Sequence, residues 1–256
     1  MRAALPDVVV AGAGMVGANV AYRLARSGAR VTVLDAEAPG RGTSARSFAW
    51  VNANDKPPLE YHRLNAAGVE AHGRLRDDVL ADLGGRGQGQ GRGKGAEPAP
   101  WLHPNGGLEV AGAAGAAALL AKAARLRAWG YPVEVIDRAA AQALEPHLRL
   151  DGFAAATFCP QEAWVDAPLC VATVLRAAQL HGAVVRPQTA VAGFLMEGER
   201  IAGVSLAGGE SLPAGRVVLA TGRWTDAAGR LAGLEVPRPG ASASSTVTRA
   251  PERARR

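Results

Sequence analysis

The 256-residue sequence contains little cysteine, few aromatic residues and no long uninterrupted apolar run. Cys159 and Cys170 are its only cysteines, too few for a disulfide framework or a cysteine-based metal site, so a reducing cytoplasm is the expected location. The five histidines show no ligand spacing, and we therefore predict no metal site. No apolar stretch is long enough to span a membrane, and Asp7 interrupts the residues that could otherwise form a secretory signal.

The charge balance is positive, with 29 Lys and Arg against 23 Asp and Glu. A positive balance can indicate a nucleic-acid partner, but much of the excess falls in two low-complexity segments, 84–100 and 241–256. The first lacks the aromatic residues that stack on bases, so no nucleic-acid partner is predicted. Because both segments have few apolar side chains, we predict a flexible glycine-rich insert at 84–100 and a disordered basic tail at 241–256.

Residues 8–37 read VVVAGAGMVGANVAYRLARSGARVTVLDAE, a pattern of strand, helix and strand. The two apolar runs are typical of buried parallel strands, and the helical spacing covers residues 14–27. Gly12, Gly14 and Gly17 match the dinucleotide-binding pattern, in which glycines allow a tight turn, the approach of a diphosphate and close helix–strand packing. A diphosphate would sit at the helix N-terminus, where free amides and the helix dipole favour negative charge. The alternative is a glycine-rich turn with no ligand.

Asp35 ends the second apolar run, where a carboxylate can accept hydrogen bonds from ribose hydroxyls. A carboxylate there would repel a 2′-phosphate, which argues against NADP. Thr43, Ser44 and Ser47 follow beside Arg41 and Arg46 and suit an anionic, hydroxyl-bearing ligand, unless they merely begin a capped helix. These residues leave FAD and NAD both open.

Apolar periodicity predicts further elements along the chain. His62 and His72 lie on a polar helical stretch and are expected to be exposed or partly buried. Asp166 can cap a helix that has Pro168 in its first turn. Four of the five tryptophans are expected to be packing anchors: Trp50, Trp101, Trp164 and Trp224. The predicted helices are 57–83, 113–129, 139–144 and one from 166 to 182, and the predicted β segments are 101–111, 133–136, 183–186, a meander from Val191 and a strand at 217–220.

The segment RVVLATGRWTD, residues 216–226, has an apolar strand that ends in Thr221-Gly222. It resembles the late ATG motif of FAD-dependent oxidoreductases, in which a distant strand returns to the cofactor sheet. GTSARSFAWVNA after the acid, WLHPNGGLEVA and CPQEAWVDAPLC fall in the order seen in the D-amino-acid oxidase-like family. Over about residues 7 to 240 the chain resembles this family, which includes glycine oxidase, sarcosine oxidase and D-amino-acid dehydrogenase relatives.

The resemblance implies an α/β fold, with a Rossmann-like FAD-binding domain interleaved with a mixed, largely antiparallel substrate-domain sheet. The FAD-binding domain would comprise residues 1–50 and 166–240, and residues 51–165 would form part of the substrate domain. It also implies which residues contact the cofactor. Those residues are Gly12, Gly14, Met15, Val16 and Gly17 at the diphosphate, Asp35 at the ribose, Thr43, Ser44 and Ser47 along the diphosphate and ribityl chain, Val191 at the adenine, and Thr221 and Gly222 from the returning strand.

The resemblance further implies that an amino acid or secondary amine is oxidised at its C–N bond by hydride transfer to FAD. Some relatives attach the flavin through a histidine in the loop after the acid; this loop has Arg46 and no histidine, so non-covalent FAD is predicted. The family pattern is lost after about Gly240, which predicts a truncated chain with weak FAD binding and little activity. The sequence indicates no catalytic residue and no oligomeric state. The alternatives are an NAD-dependent dehydrogenase and a non-catalytic nucleotide-binding remnant.

Overall fold

The computed structural model describes residues 7–85 and 100–236. The strands in this part of the chain are β1 (Val8–Ala11), β2 (Val31–Leu34), β3 (Trp50–Val51), β4 (Leu102–His103), β5 (Gly107–Gly112), β6 (Glu134–Ile136), β7 (Phe153–Cys159), β8 (Ala163–Val165), β9 (Val184–Arg186), β10 (Val191–Glu197), β11 (Arg200–Leu206), β12 (Ser211–Pro213) and β13 (Arg216–Leu219). The helices are α1 (Met15–Arg26), α2 (Leu59–Gly85), α3 (Ala113–Ala128), α4 (Arg138–Leu144), α5 (Ala167–Leu180) and α6 (Thr225–Arg230), with 3₁₀ turns at Thr43–Arg46 and Gly222–Trp224.

The chain divides into two compact units. The first unit comprises Met1–Phe48, Val79–Ala99 and Asp166–Arg256, and the second comprises Ala49–Asp78 and Pro100–Val165. Parallel and antiparallel sheets occur together with helices, which confirms the predicted α/β class.

A four-stranded parallel sheet forms the centre of the first unit, in the order β13-β1-β2-β9. All four residues of β1 are buried, as their continuous apolar run predicts. Val10 pairs with Val218 on one side and Val33 on the other, so the late strand lies directly beside the strand that precedes the glycine motif. The predicted return of a distant strand to this sheet is therefore confirmed, one residue earlier than expected, at Arg216–Leu219.

The predicted antiparallel meander also forms part of the first unit. Strands β10, β11 and β12 pair in sequence order, and Val204 and Leu206 from β11 pack with Val9 and Leu34 of the parallel sheet. Helix α5 begins as predicted, because the Asp166 carboxylate accepts a hydrogen bond of 3.0 Å from the Leu169 amide and proline follows in the first turn.

The second unit contains two three-stranded antiparallel sheets, β3-β8-β4 and β5-β7-β6. Its main core is formed by Ala53, Ala123, Leu126, Tyr131, Val133 and Cys159. Strands β7 and β8 were not predicted. β7 reads FAAATFC, and its small alanines carry little of the alternation or β-branched character that indicates a strand.

Several predictions of burial and extent require correction. Helix α2 continues to Gly85, so the first residues of the predicted 84–100 insert are helical, whereas 86–99 and the predicted tail at 241–256 lie outside the described residues. His62 is 3% exposed rather than at the surface, because its Nδ1–H donates to the Ala53 carbonyl and its ring packs on Trp129 and Tyr131. Trp101 is a buried anchor as predicted, but Trp164 and Trp224 are exposed.

Within 7–85 and 100–236, no helix is long and apolar enough to cross a membrane. The same residues contain no group of three or more His, Cys, Asp or Glu side chains arranged to hold a metal ion.

Candidate functional site

The three glycines of the motif differ in what the chain itself requires of them. Gly12 has a φ of +103°, and a Cβ there would overlap the Ala220 carbonyl at the end of β13. At Gly17 a Cβ would overlap the carbonyl oxygen of Gly12. At Gly14, however, the nearest atom to a Cβ would be the flexible Ser44 Oγ, at 3.2 Å. The chain's own packing therefore requires glycine at 12 and 17, whereas at 14 the only neighbour of a Cβ would be a side chain that can move.

The N-terminus of α1 presents amides beside Gly14. The first intrahelical bond of this turn joins the Ala18 amide to the Gly14 carbonyl at 2.9 Å, and Gly14 supplies no side-chain cap. The Met15 amide instead donates to Ser44 Oγ at 3.0 Å, and Val16 is exposed on the same turn. This geometry favours an anion at the helix end, with a serine hydroxyl next to it.

Asp35 reaches the glycine turn. One carboxylate oxygen accepts a hydrogen bond from the Ala13 amide at 2.7 Å, and the other accepts one from the Glu37 amide at 2.9 Å. Each carboxylate oxygen can accept a further bond, so the half-buried side chain can bind a hydroxyl while it braces the turn.

The segment that leads into the meander lies beside the acid. The Thr189 amide donates to the Asp35 carbonyl at 2.7 Å, and the Gln188 amide donates to the Glu37 carbonyl at 3.1 Å. Val191 begins β10 two residues later and is half-buried. Val191, whose backbone is predicted to contact the adenine, therefore closely follows a segment that is hydrogen-bonded to Asp35, the predicted ribose-binding residue, and to Glu37.

The returning turn after β13 covers the first glycine. The Ala220 amide donates to the Ala11 carbonyl at 2.8 Å, and the Thr221 nitrogen lies 3.1 Å from where a Cβ of Gly12 would be. Gly222 has a φ of +57°, which a glycine adopts without strain. Thr221 and Gly222 are thus brought to the glycine turn, as predicted from the late motif.

The hydroxyl residues after Asp35 form the 3₁₀ turn Thr43–Arg46 and its end. Ser44 reaches the first turn of α1, while Thr43 and Ser47 are exposed on the turn. The alternative of a capped helix start is partly correct, since a short helix does begin here, but Gly42 at its start has no capping side chain.

Replacement of Ser44 with alanine is expected to lower the free energy of unfolding by about 1 kcal/mol, because the Met15 amide loses its capping acceptor. Urea unfolding followed by circular dichroism measures the change. Ser27 serves as the control at the other end of α1, where an exposed hydroxyl donates to the Leu24 carbonyl. Equal stability of Ser44→Ala and Ser27→Ala would contradict the capping role of Ser44.

Two features of the site were not found from the sequence. Cys170 packs under the motif, with its thiol 3.7 Å from the Met15 sulfur, and burial raises the pKa of this thiol to about 12, which keeps it neutral. Trp224, predicted to be a packing anchor, is half exposed, and its ring lies beside Gly42. The sequence signal that could have placed Trp224 at the site is its position, three residues after Thr221 of the late motif.

Comparisons with known proteins place these features in a family. A protein-family model described as "FAD dependent oxidoreductase" (DAO) matches residues 7–256. The glycine oxidases of Pseudomonas aeruginosa and Pseudomonas putida are each 31% identical over 234 residues, which is 90% of this chain and 59% of each relative.

Solved structures agree in fold. Glycine oxidase from Geobacillus kaustophilus superposes with a TM-score of 0.76 at 23% identity, covering 91% of this chain and 60% of that one. Iminodiacetate oxidase from Chelativorans sp. BNC1 superposes with a TM-score of 0.72 at 28% identity, covering 90% and 59%. The chain thus spans about three fifths of the length of the relatives it matches. These matches confirm the predicted resemblance and favour FAD over NAD.

Proposed function

Because the chain belongs to the family of FAD-dependent oxidoreductases described by the DAO model, we propose that its first unit binds FAD non-covalently and that the protein oxidises a C–N bond of an amino acid or secondary amine. One observation supports the proposal above all others. The glycine turn, Asp35 and the turn at Thr221 meet at the carboxyl end of adjacent parallel strands, through the bonds of Ala13 to Asp35 and Ala220 to Ala11. Ligands of open α/β sheets bind at this end of the strands.

The residues present fit the cofactor. The diphosphate would lie beside Gly14, Met15, Val16 and Gly17 at the first turn of α1, where the helix dipole favours negative charge and the Met15 amide already donates to Ser44 Oγ. Asp35 would accept the ribose hydroxyls, and the backbone at Val191 would contact the adenine. Ser44, with Thr43 and Ser47 on the same turn, would hydrogen-bond the diphosphate and ribityl chain. Thr221 and Gly222 would contact the cofactor from the returning strand.

When bound, FAD supplies the two-electron acceptor for oxidation of the carbon next to a substrate amine. The residues of this chain bind and orient the cofactor. A non-covalent cofactor is favoured because no histidine lies between residues 40 and 54. The Cys170 thiol, whose pKa is raised by burial, also stays protonated and is therefore a poor nucleophile. The relatives named above, glycine oxidase and iminodiacetate oxidase, support a small amino acid or secondary amine as the substrate. We also propose the cytoplasm as the location, since Cys159 and Cys170 are free thiols.

FAD binding tests the proposal. Titration of FAD with the purified chain is expected to quench flavin fluorescence, and excess NAD is expected to leave the quenching unchanged. Asp35→Ala is expected to weaken FAD binding at least tenfold, because charge-assisted hydrogen bonds to the ribose and the brace on Ala13 are lost. Glu37→Ala is the matched control, an exposed acid two residues away, and is expected to bind FAD as the unmodified chain does.

The FAD-binding and activity results test different parts of the proposal. Failure of the unmodified chain to bind FAD, or equal affinities of the Asp35→Ala and Glu37→Ala variants, would contradict the proposed site. FAD binding without oxidation of glycine, sarcosine or proline would leave the cofactor site standing and support the non-catalytic alternative.

A further inference from the structure

A half-exposed tryptophan in the first unit connects two turns of the proposed cofactor site. Trp224 is 50% exposed and ends the 3₁₀ turn Gly222–Trp224. Its Cζ3 atom lies 3.8 Å from the position that a Cβ of Gly42 would take, so the ring faces Gly42 across the space that a side chain would fill. Gly42 directly precedes the Thr43–Arg46 turn, which carries Ser44.

The backbone of Trp224 is tied to the end of β13. Its amide donates to the Thr221 carbonyl at 3.1 Å. The Thr225 hydroxyl donates to the Gly222 carbonyl at 2.8 Å and accepts from the Thr221 hydroxyl at 3.2 Å. These bonds fix the turn that follows β13, and Ala220 and Thr221 at the start of this turn lie next to Gly12. The indole therefore extends from a well-anchored backbone.

The segment beside the ring contains two glycines. Gly40 and Gly42 flank Arg41 and carry no side chains of their own to pack. The Gly40 amide donates to the Ala13 carbonyl at 3.0 Å, and Ser44 Oγ accepts from the Met15 amide at 3.0 Å. Val171 of helix α5 lies 3.5 Å from the position that a Cβ of Gly40 would take, and the ring of Trp224 lies beside Gly42, the other glycine of this segment.

Arg223 lies over the Trp224 ring. The Arg223 guanidinium carbon lies 4.3 Å from the centroid of the Trp224 ring, within cation–π distance. The planar guanidinium also suits phosphate oxygens. A tryptophan left half in water contributes less to folding than a buried one, because its apolar surface is only partly removed from solvent.

We propose that Trp224 is a positioning residue for the cofactor: its ring holds the Gly42–Arg46 segment so that Ser44 faces the first turn of α1, and Arg223 stacked on it adds positive charge for the diphosphate. This inference rests on the proposed binding of FAD. Trp224 acts through Gly42 and Ser44, and the ring itself supplies no group that takes part in the oxidation.

The contact can be tested without cofactor. Hydrogen–deuterium exchange of a peptide covering residues 40–47 is expected to be faster in Trp224→Ala than in the unmodified chain, while exchange in β1 and β2 is unchanged. Trp224→Phe is expected to restore most of the protection, because a ring still rests on Gly42. Unchanged exchange at 40–47 in Trp224→Ala would overturn the inference.

The effect on the cofactor is tested by FAD titration. Trp224→Ala is expected to raise the Kd for FAD about tenfold, Trp224→Phe less than threefold, and Arg223→Gln to reduce the salt dependence of binding. Trp164→Ala is the control, since Trp164 is 44% exposed in the second unit and stacks on His103. If Trp224→Ala fails to fold, the comparison of Trp224→Phe with Trp224→Leu decides, because only the first retains a flat ring.

The outcomes separate the two proposals. Tight FAD binding by the unmodified chain together with unchanged binding by Trp224→Ala, or equal losses in Trp224→Ala and Trp164→Ala, would overturn the role of Trp224 alone. No FAD binding by the unmodified chain would overturn the proposed function and this role together.

Discussion

Replacement of Gly17 with alanine is expected to destabilise the chain by about 3 kcal/mol or more, the upper end of what overpacking costs. The new Cβ would overlap the carbonyl oxygen of Gly12. Gly12 has little room on the side of the Ala220 carbonyl, which directly follows the neighbouring strand β13. The strain must therefore be relieved by separating α1 from β1, which removes buried surface from the centre of the parallel sheet.

Urea unfolding followed by circular dichroism measures this effect, and Gly68→Ala provides the matched control. Gly68 lies in helix α2, and no atom lies within 4 Å of where its Cβ would be. Alanine there is expected to stabilise the helix by about 0.5 to 1 kcal/mol. Replacement of glycine with alanine is thus expected to lower the free energy of unfolding at position 17 and to raise it at position 68. A Gly17→Ala variant as stable as Gly68→Ala would show that the turn between β1 and α1 is not packed as described.

Replacement of Glu162 with glutamine is expected to remove a pH dependence of stability of the order of 3 kcal/mol. Glu162 is 0% exposed, and the Tyr131 hydroxyl donates to its Oε1 at 2.9 Å. Burial raises the pKa of this carboxyl to about 7, and hydrogen bonds from Tyr131 and neighbouring groups offset only part of that cost. The burial also raises the pKa of Tyr131, so the phenol remains a donor.

The direction of this pH dependence follows from the pKa of Glu162 in the unfolded and in the folded chain. In the unfolded chain the carboxyl has its ordinary pKa of 4.5, whereas the folded chain keeps the proton up to about pH 7. The folded state therefore binds more protons between these values, and the contribution is fully present below pH 4.5 and is lost as the pH rises to about 7. Burial lowers the pKa of His72 and acts in the opposite sense, so the comparison with a variant is needed to isolate Glu162.

The measurement is the free energy of unfolding in urea at pH 5 and pH 8. In the unmodified chain it is expected to fall relative to Glu162→Gln across this interval, because glutamine has no proton to release. Glu134→Gln, an exposed acid of the second unit, is expected to follow the unmodified chain. Parallel pH profiles for the unmodified chain and Glu162→Gln would mean that Glu162 does not hold its proton in the folded state.

Elements with strong local signals were predictable from the sequence. The Asp166 cap, the Gly12–Gly17 motif and the meander depend on neighbours within a few residues, and the structure has them where the pattern indicates. The return of β13 to the side of β1 could be predicted only from the resemblance, since residues 216–219 alone do not show which strand they pair with.

Local sequence alone determined the βαβ motif, the acid at the end of its second strand and the chemistry these offer to a diphosphate and a ribose. That is so because a helix period, a strand run and a glycine turn are decided by adjacent residues. Tertiary structure alone decided the burial of His62 and Glu162, the strand formed by FAAATFC, and the place of Trp224 against Gly42. Each depends on which distant segment packs nearby, and periodicity carries no information about that partner.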